Sequence, residues 1–298
     1  MNILIAGGTG FVGTHLIARL QNNDNQIYIL TRNPDKYEET NQVRYIRWLH
    51  DEDQPLAHLP TIDAVINLAG DTLFGYWTKS KKDRIYQSRI NATYELIELM
   101  RQMPVKPNVF INASAIGYYG TSQSLEFTER SPDKGNDFLA EVTEAWEKTA
   151  LEATSMDIRT VLARFGVIFG EDGALPLMAK PFQYYIGGRI GNGEQWVSWV
   201  HIDDVVGLIQ FALTEQIKGP LNVTAPHPVT NRQLSEQLAN VLHRPNYLPV
   251  PSFAIKTLLG EMSILITEGQ KVLPEKAMQH HYSFNYTNVH DALRSIFR

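Results

Sequence analysis

A doubly wound α/β fold, in which a parallel sheet is covered by helices on both faces, is predicted by three features of the 298-residue sequence. Short, almost purely apolar runs alternate with helix-period segments over the first 170 residues. A glycine-spaced turn joins the first run to the first helical pattern. The alternation then breaks, which predicts a smaller C-terminal α/β lobe beside the sheet.

The elements follow in order. NILIAG (2–7) reads as the first strand and FVGTHLIARLQ (11–21) as the first helix. QIYILT (26–31), VRYIRW (43–48) and DAVINLAG (63–70) have the length and apolar density of buried parallel strands. A long helical pattern spans 80–103, NVFINASA (108–115) is the next strand, and DFLAEVTEAWEKTALEAT (137–154) is amphipathic at helical period. RTVLARFGVIFG (159–170) reads as one further strand. Beyond it lie a glycine cluster, GGRIGNGEQW, and a helix from Asp203 that Asp203 or Asp204 is placed to cap. Prolines are dense over 245–251, and a strand-like aromatic stretch follows His280-His281. These signals divide the chain into a sheet domain over 1–170, with a contribution from about 200–225, and a substrate-side lobe over 171–298.

Composition narrows the class. With 27 basic and 32 acidic residues the net charge is -5, so there is no general pull toward nucleic acid or anionic membrane. The absence of cysteine removes disulfides, thiolate metal sites and a cysteine nucleophile. No histidine–carboxylate cluster has ligand spacing, so no metal is expected. MNILIAGGTG has no basic start and runs straight into a strand, and no apolar stretch approaches the roughly 20 residues that span a bilayer. The expectation is a cytoplasmic protein.

Chemistry concentrates at two places. GGTGFVG spaces Gly7, Gly10 and Gly13 as GxxGxxG between strand and helix. Glycine there allows a tight turn and close approach of backbone N–H groups to a pyrophosphate, and the helix N-terminus favours negative charge. The second strand ends Leu30-Thr31-Arg32-Asn33-Pro34, with no carboxylate before Asp35. A guanidinium at Arg32 suits a 2′-phosphate, which favours NADP(H) over NAD(H). The second place is SAIGYYG (114–120), a serine and two tyrosines leaving a central strand at the end where open α/β sheets hold their sites.

Together with NLAG at 67–70 and GNGEQW…WVHIDDVV at 191–206, these motifs make the chain resemble the extended short-chain dehydrogenase/reductases. It is most similar to the atypical YfcH-like subgroup, nominally nucleoside-diphosphate-sugar epimerases. FGYWTKSKKDRIYQSRI (74–90), ALPLM (174–178) and the C-terminal stretch from VPSFAIKTLLGEM to GQKVLPEKAMQ carry that narrower likeness. The resemblance spans essentially the whole chain. It implies a Rossmann-like domain binding NADP(H), with Gly7, Thr9, Gly10, Phe11, Val12 and Gly13 as the dinucleotide loop. It also implies Arg32 at the 2′-phosphate and Leu68, Ala69 and Gly70 beside the cofactor, where Arg89, by its position on the following helix, is a further candidate.

The same resemblance implies a catalytic tyrosine with a lysine four residues on to stabilise its phenolate. None of the 13 tyrosines has one. The helix that should carry the pair offers Phe138/Val142 or Leu139/Thr143 instead. Ser114, Tyr118 and Tyr119 are the substitute candidates, with Arg89 or Arg164 as the nearby cation. The alternative is aromatic packing at the seam between the lobes. Trp77, Lys81, Lys82 and Arg84 suit either a nucleotide's phosphates and base or a solvated helix face. Trp196 and Trp199 suit a cleft floor or the core.

The resulting expectation is an NADP(H)-binding oxidoreductase or epimerase acting on a small molecule, nominally a nucleotide sugar, with no nucleic-acid or membrane partner and compatible with a homodimer. Its rival is a non-catalytic NADP(H)-binding sensor or assembly protein.

Overall fold

The computed structural model describes residues 1–21, 23–50, 52–247 and 249–297. β1 (Asn2–Ala6) leads through the glycine turn into α1 (Phe11–Gln21), followed by β2 (Gln26–Thr31), β3 (Val43–Arg47) and β4 (Ala64–Asn67). α2 (Lys79–Gln102) starts at Thr78, whose side chain accepts from the Lys81 N–H and so satisfies one open donor of the first turn. β5 (Val109–Ala115), the short β6 (Glu126–Phe127), α3 (Phe138–Ala150) and β7 (Arg159–Phe165) complete the first half.

The strand expected over 159–170 is in fact two. β7 ends and β8 (Val167–Phe169) begins at Gly166, where a side chain would stand 2.3 Å from the Ser198 carbonyl oxygen. That crowding fixes the break, and the chain leaves the main sheet to pair elsewhere. α4 (Ala174–Gln183), β9 (Trp196–Val197), β10 (Trp199–His201) and α5 (Ile202–Thr214) follow, and β11 (Gly219–Val223) returns to the sheet. The main sheet is parallel throughout, in the order β11-β7-β5-β4-β1-β2-β3. Both faces are covered, which is why its strands are apolar without alternation. Ile3, Ile5, Ile29, Ile66, Ile111 and Val161 pack toward α1 and α5, while Leu4, Val65, Phe110 and Leu162 pack toward α2.

The remaining elements form the lobe at the sheet's C-terminal edge. β12 (Val229–Thr230) pairs antiparallel with β9, and β8 pairs with β10. α6 (Asn231–Leu242) packs on α4 around Phe169, Phe182, Trp199, Leu234 and Leu238. The last segment holds α7 (Ser252–Leu259), α8 (Ile264–Thr267), β13 (Lys271–Val272), α9 (Glu275–Gln279) and α10 (Val289–Ile296). It is stitched to the sheet domain: β13 pairs with β6, and the Asn222 amide of β11 donates to the Leu273 carbonyl.

Two local expectations are corrected here. Neither Asp203 nor Asp204 caps α5: the His201 ring accepts from the Asp203 N–H at 3.1 Å, and Asp204, 0% exposed, accepts from the N–H groups of Asn285 and Tyr286. The aromatic stretch after His281 is therefore not a strand; its backbone is held by that carboxylate. No described helix is long and apolar enough to cross a membrane.

Candidate active site

The face of the sheet that packs on α2 is apolar at its base and polar at the C-terminal ends of its strands. Asn67 stands beside Asn112 in register, and Ser114, Arg164 and Asn222 form the next row across β5, β7 and β11. All five side chains are buried. Buried polar groups must find partners or cost free energy, and here two networks supply them.

The first network shapes the loop after β4. The Asn67 amide donates to Thr93 at 2.9 Å and to Asn112 at 2.7 Å, and its oxygen accepts from the Ala69 N–H. Trp146 of α3 donates to Thr93 from the other side. Leu68–Gly70 is thereby fixed against the glycine turn. Gly7 has φ +77°, and a side chain on it would stand 2.6 Å from the Leu68 carbonyl carbon. One on Gly13 would stand 2.4 Å from the Gly7 oxygen. Only glycine allows strand, turn, helix and loop to meet this closely. Thr9 and Gly10 remain exposed at the N-terminus of α1. Phe11 and Val12 face inward: Phe11 lies against Gly170 and Gly173, and Val12 joins the core under α1.

Arg89 runs along Gly70, its Nη1 donating to the carbonyls of Asp71 and Ile85. Burial pushes it down to about 10, only partly opposed by Asp71. No carboxylate is hydrogen-bonded to it among the described residues. A half-buried cation without a bonded counter-ion, lying on the loop that packs against the glycine turn, fits a phosphate-bearing dinucleotide. Arg32 is exposed at the end of β2, and the next acid, Asp35, is paired with Arg47. The residues present fit the cofactor.

The second network lies under SAIGYYG. Arg164, 4% exposed, makes two parallel hydrogen bonds of 2.7 Å to Glu147 of α3, and the Ser114 hydroxyl donates to the same carboxylate at 2.6 Å. Burial pulls the guanidinium down, but the Glu147 carboxylate outweighs it and holds Arg164 above its ordinary value. Its flat face lies 3.6 Å from the Tyr118 ring centre and 4.9 Å from that of Tyr119. The Tyr119 hydroxyl donates to Asn222 at 2.8 Å and its ring stacks on Phe127; burial raises its pKa, against the opposing pull of Arg164. Of the three hydroxyls singled out in the sequence, two are held in interior hydrogen bonds. Tyr118 is half-buried, and its hydroxyl has no partner among the described residues.

The positions of the implied Tyr-Lys pair hold packing instead. Phe138, Leu139 and Val142 sit with Trp77 and Ile85 and with Leu259, Met262, Ile264 and Leu265 of the C-terminal segment. Thr143 spends its hydroxyl on the carbonyls of Leu139 and Ala140. In the basic run on α2, Lys81, 8% exposed, pairs with Asp71 at 2.9 Å and Lys82 pairs with Glu261, while Arg84 stays exposed. Trp199 is core, stacked on Phe169, and Trp196 donates to the Gln123 carbonyl. Sequence reasoning missed Glu147, Thr93, Asn112 and Asn222. The asparagines had a signal, an amide inside an apolar strand; Glu147 had none, since one carboxylate on a charged helix looks solvated.

A model of the NAD dependent epimerase/dehydratase family matches residues 3–224, and one of a domain of unknown function (DUF1731) matches residues 250–296. The chain belongs to the NAD dependent epimerase/dehydratase family. Epimerase family protein YfhF of Bacillus subtilis is 46% identical over 297 residues, covering 99% of this chain and 98% of that protein. The chloroplastic SDR39U1 homolog of Arabidopsis thaliana is 42% identical, covering 100% of this chain and 87% of its own. Among solved structures, the human epimerase family protein SDR39U1 (isoform 2) with NADPH superposes with a TM-score of 0.87 at 29% identity, covering 100% and 99% of the two chains. UDP-glucuronic acid 4-epimerase of Bacillus cereus, at 19% identity and TM-score 0.80, shares the fold. The extended short-chain dehydrogenase/reductase resemblance read from the motifs is thus shown, and the DUF1731 match covers the segment that packs over the implied Tyr-Lys positions.

Proposed function

We propose that the protein is an NADP(H)-dependent oxidoreductase or epimerase acting at a carbonyl or hydroxyl carbon. The observation that carries this is the glycine turn locked against Leu68–Gly70, with Arg89 along its rim. Gly7, Thr9, Gly10 and Gly13 take the pyrophosphate, Phe11 and Val12 hold the start of α1 in place for it, Arg32 takes the 2′-phosphate, and Leu68, Ala69, Gly70 and Arg89 flank the rest. The bound cofactor supplies hydride transfer. The chain supplies orientation and the proton, and Tyr118 is the residue placed to move it, with Arg164 stacked on its ring and Glu147 clamping Arg164. Ser114 acts one step back, on Glu147, and Tyr119 as the buried wall behind Tyr118. The human relative solved with NADPH supports this cofactor.

A second reading, a non-catalytic NADP(H)-binding protein, draws support from one observation: apolar packing fills the implied Tyr-Lys positions. Titrations with NADPH and NADH, followed by nicotinamide fluorescence, test the shared part. NADPH should bind at least tenfold tighter than NADH, and Arg32→Ala should erase the preference, since a charge-assisted bidentate contact is worth about 1.5–3 kcal/mol. Equal weak binding of both in the wild type would sink both readings. Turnover of NADPH that Tyr118→Phe abolishes without loss of binding favours the enzyme; binding with no turnover favours the sensor.

A further inference from the structure

A half-buried apolar cluster lies against the turn that carries Tyr118. Leu139 lies against Gly117, the residue before Tyr118. Leu139, Phe138, Leu73, Leu259 and Leu265 are all half-buried around the Trp77–Met262 cluster, so each keeps part of its surface in the open. The same patch extends to Tyr76, 62% exposed, whose hydroxyl reaches the Thr257 carbonyl of α7. The lysines here are paired: Lys81 bonds Asp71, with Arg84 exposed 3.8 Å from the same carboxylate, and Lys82 pairs with Glu261 while standing 5.1 Å from the centre of the Phe138 ring. A sugar ring laid on this surface would lose water from its hydroxyls and gain few hydrogen bonds, an unfavourable exchange. An alkyl or aryl group would gain burial.

Building on the oxidoreductase reading above, we infer that the substrate is an apolar carbonyl compound or the matching alcohol. Its alkyl or aryl substituent rests on Phe138, Leu139, Leu259 and Leu265, and it is not the sugar of a nucleoside diphosphate. The C-terminal segment, through Leu259, Met262 and Leu265, then serves as the specificity wall of the site.

Binding, not turnover, tests this. Protein saturated with NADP+ is titrated with methyl ketones from 2-butanone to 2-octanone, which cannot react with the oxidised cofactor, and separately with UDP-glucose. Affinity should rise about fourfold per added CH2, and 2-octanone should bind at least tenfold tighter than UDP-glucose. Leu139→Ser and, on the other wall, Leu265→Ser should each flatten the series while leaving NADP+ affinity within twofold. A flat series in the wild type, a slope that neither variant changes, or tighter binding of UDP-glucose overturns the substrate class alone. Failure of NADP+ itself to bind overturns the parent reading, and this one with it.

Discussion

The two ends of the candidate site are built from different materials. At the cofactor end the working surface is backbone: Gly7 and Gly13 bring turn, helix and the Leu68–Gly70 loop within contact distance. At the end proposed for proton transfer it is a side-chain network, Ser114–Glu147–Arg164 with Arg164 stacked on Tyr118, assembled from β5, β7, α3 and the turn after β5. Backbone shape leaves few choices of residue, so it persists as a motif. A side-chain network can be met by many residue sets, so no fixed sequence pattern marks it.

The sharpest way to break that contrast is through Glu147. Glu147→Ala leaves the Arg164 guanidinium charged and unpaired among buried groups, and should cost about 3–5 kcal/mol of stability. It also removes the clamp on the cation against Tyr118. Replacing both partners, as Glu147→Leu with Arg164→Met, should recover most of that stability, because no uncompensated charge remains. Denaturant unfolding of the two variants decides it. Equal destabilisation of both would mean that the pair matters for its shape and not for its charge.

At the cofactor end the expected loss is smaller in stability and larger in binding. Gly13→Ala places a methyl group 2.4 Å from the Gly7 oxygen. Crowding of that kind costs about 1–3 kcal/mol, and it moves the turn that must approach the cofactor. NADPH affinity should fall at least tenfold while the circular dichroism spectrum stays that of the wild type. Unchanged affinity would show that the loop can open without penalty and that its closeness is not what binds.

This asymmetry also explains what could be read in advance. The parallel sheet followed from apolar runs without alternation, because burial on both faces dictates composition strand by strand. The glycine turn followed because Gly7 and Gly13 tolerate no side chain. The break at Gly166 did not, since it depends on the Ser198 carbonyl, contributed from 32 positions away. Glu147 was invisible for the same reason: its partners are Ser114 on β5 and Arg164 on β7, and nothing local distinguishes it from the solvated acids of α3. The packing of Leu259, Met262 and Leu265 onto Phe138 and Leu139 is a contact between segments more than a hundred residues apart, legible only once the chain has folded.

The smallest effect concerns the loop that joins the two ends. Asp71 follows Gly70, and the hydrogen bond from Lys81, helped by the charges of Lys81 and Arg84, holds its carboxyl below the ordinary carboxylate range despite some burial. A carboxyl whose folded pKa is depressed adds stability that is fully present above its unfolded pKa, near 3.9. That stability is lost as the pH falls through the lower folded value. Asp71→Asn removes the term, so the wild type should lose stability more steeply than the variant below about pH 4. Above about pH 5 the two should differ by a nearly constant amount, apart from the new cost of a buried Lys81 without its partner. Thermal unfolding across pH 2.5 to 6 measures both slopes. Parallel curves throughout would show that Lys81 is held by packing around Trp77 and Ile85 and draws nothing from Asp71, and the loop would then owe its position to Asn67 and Arg89 alone.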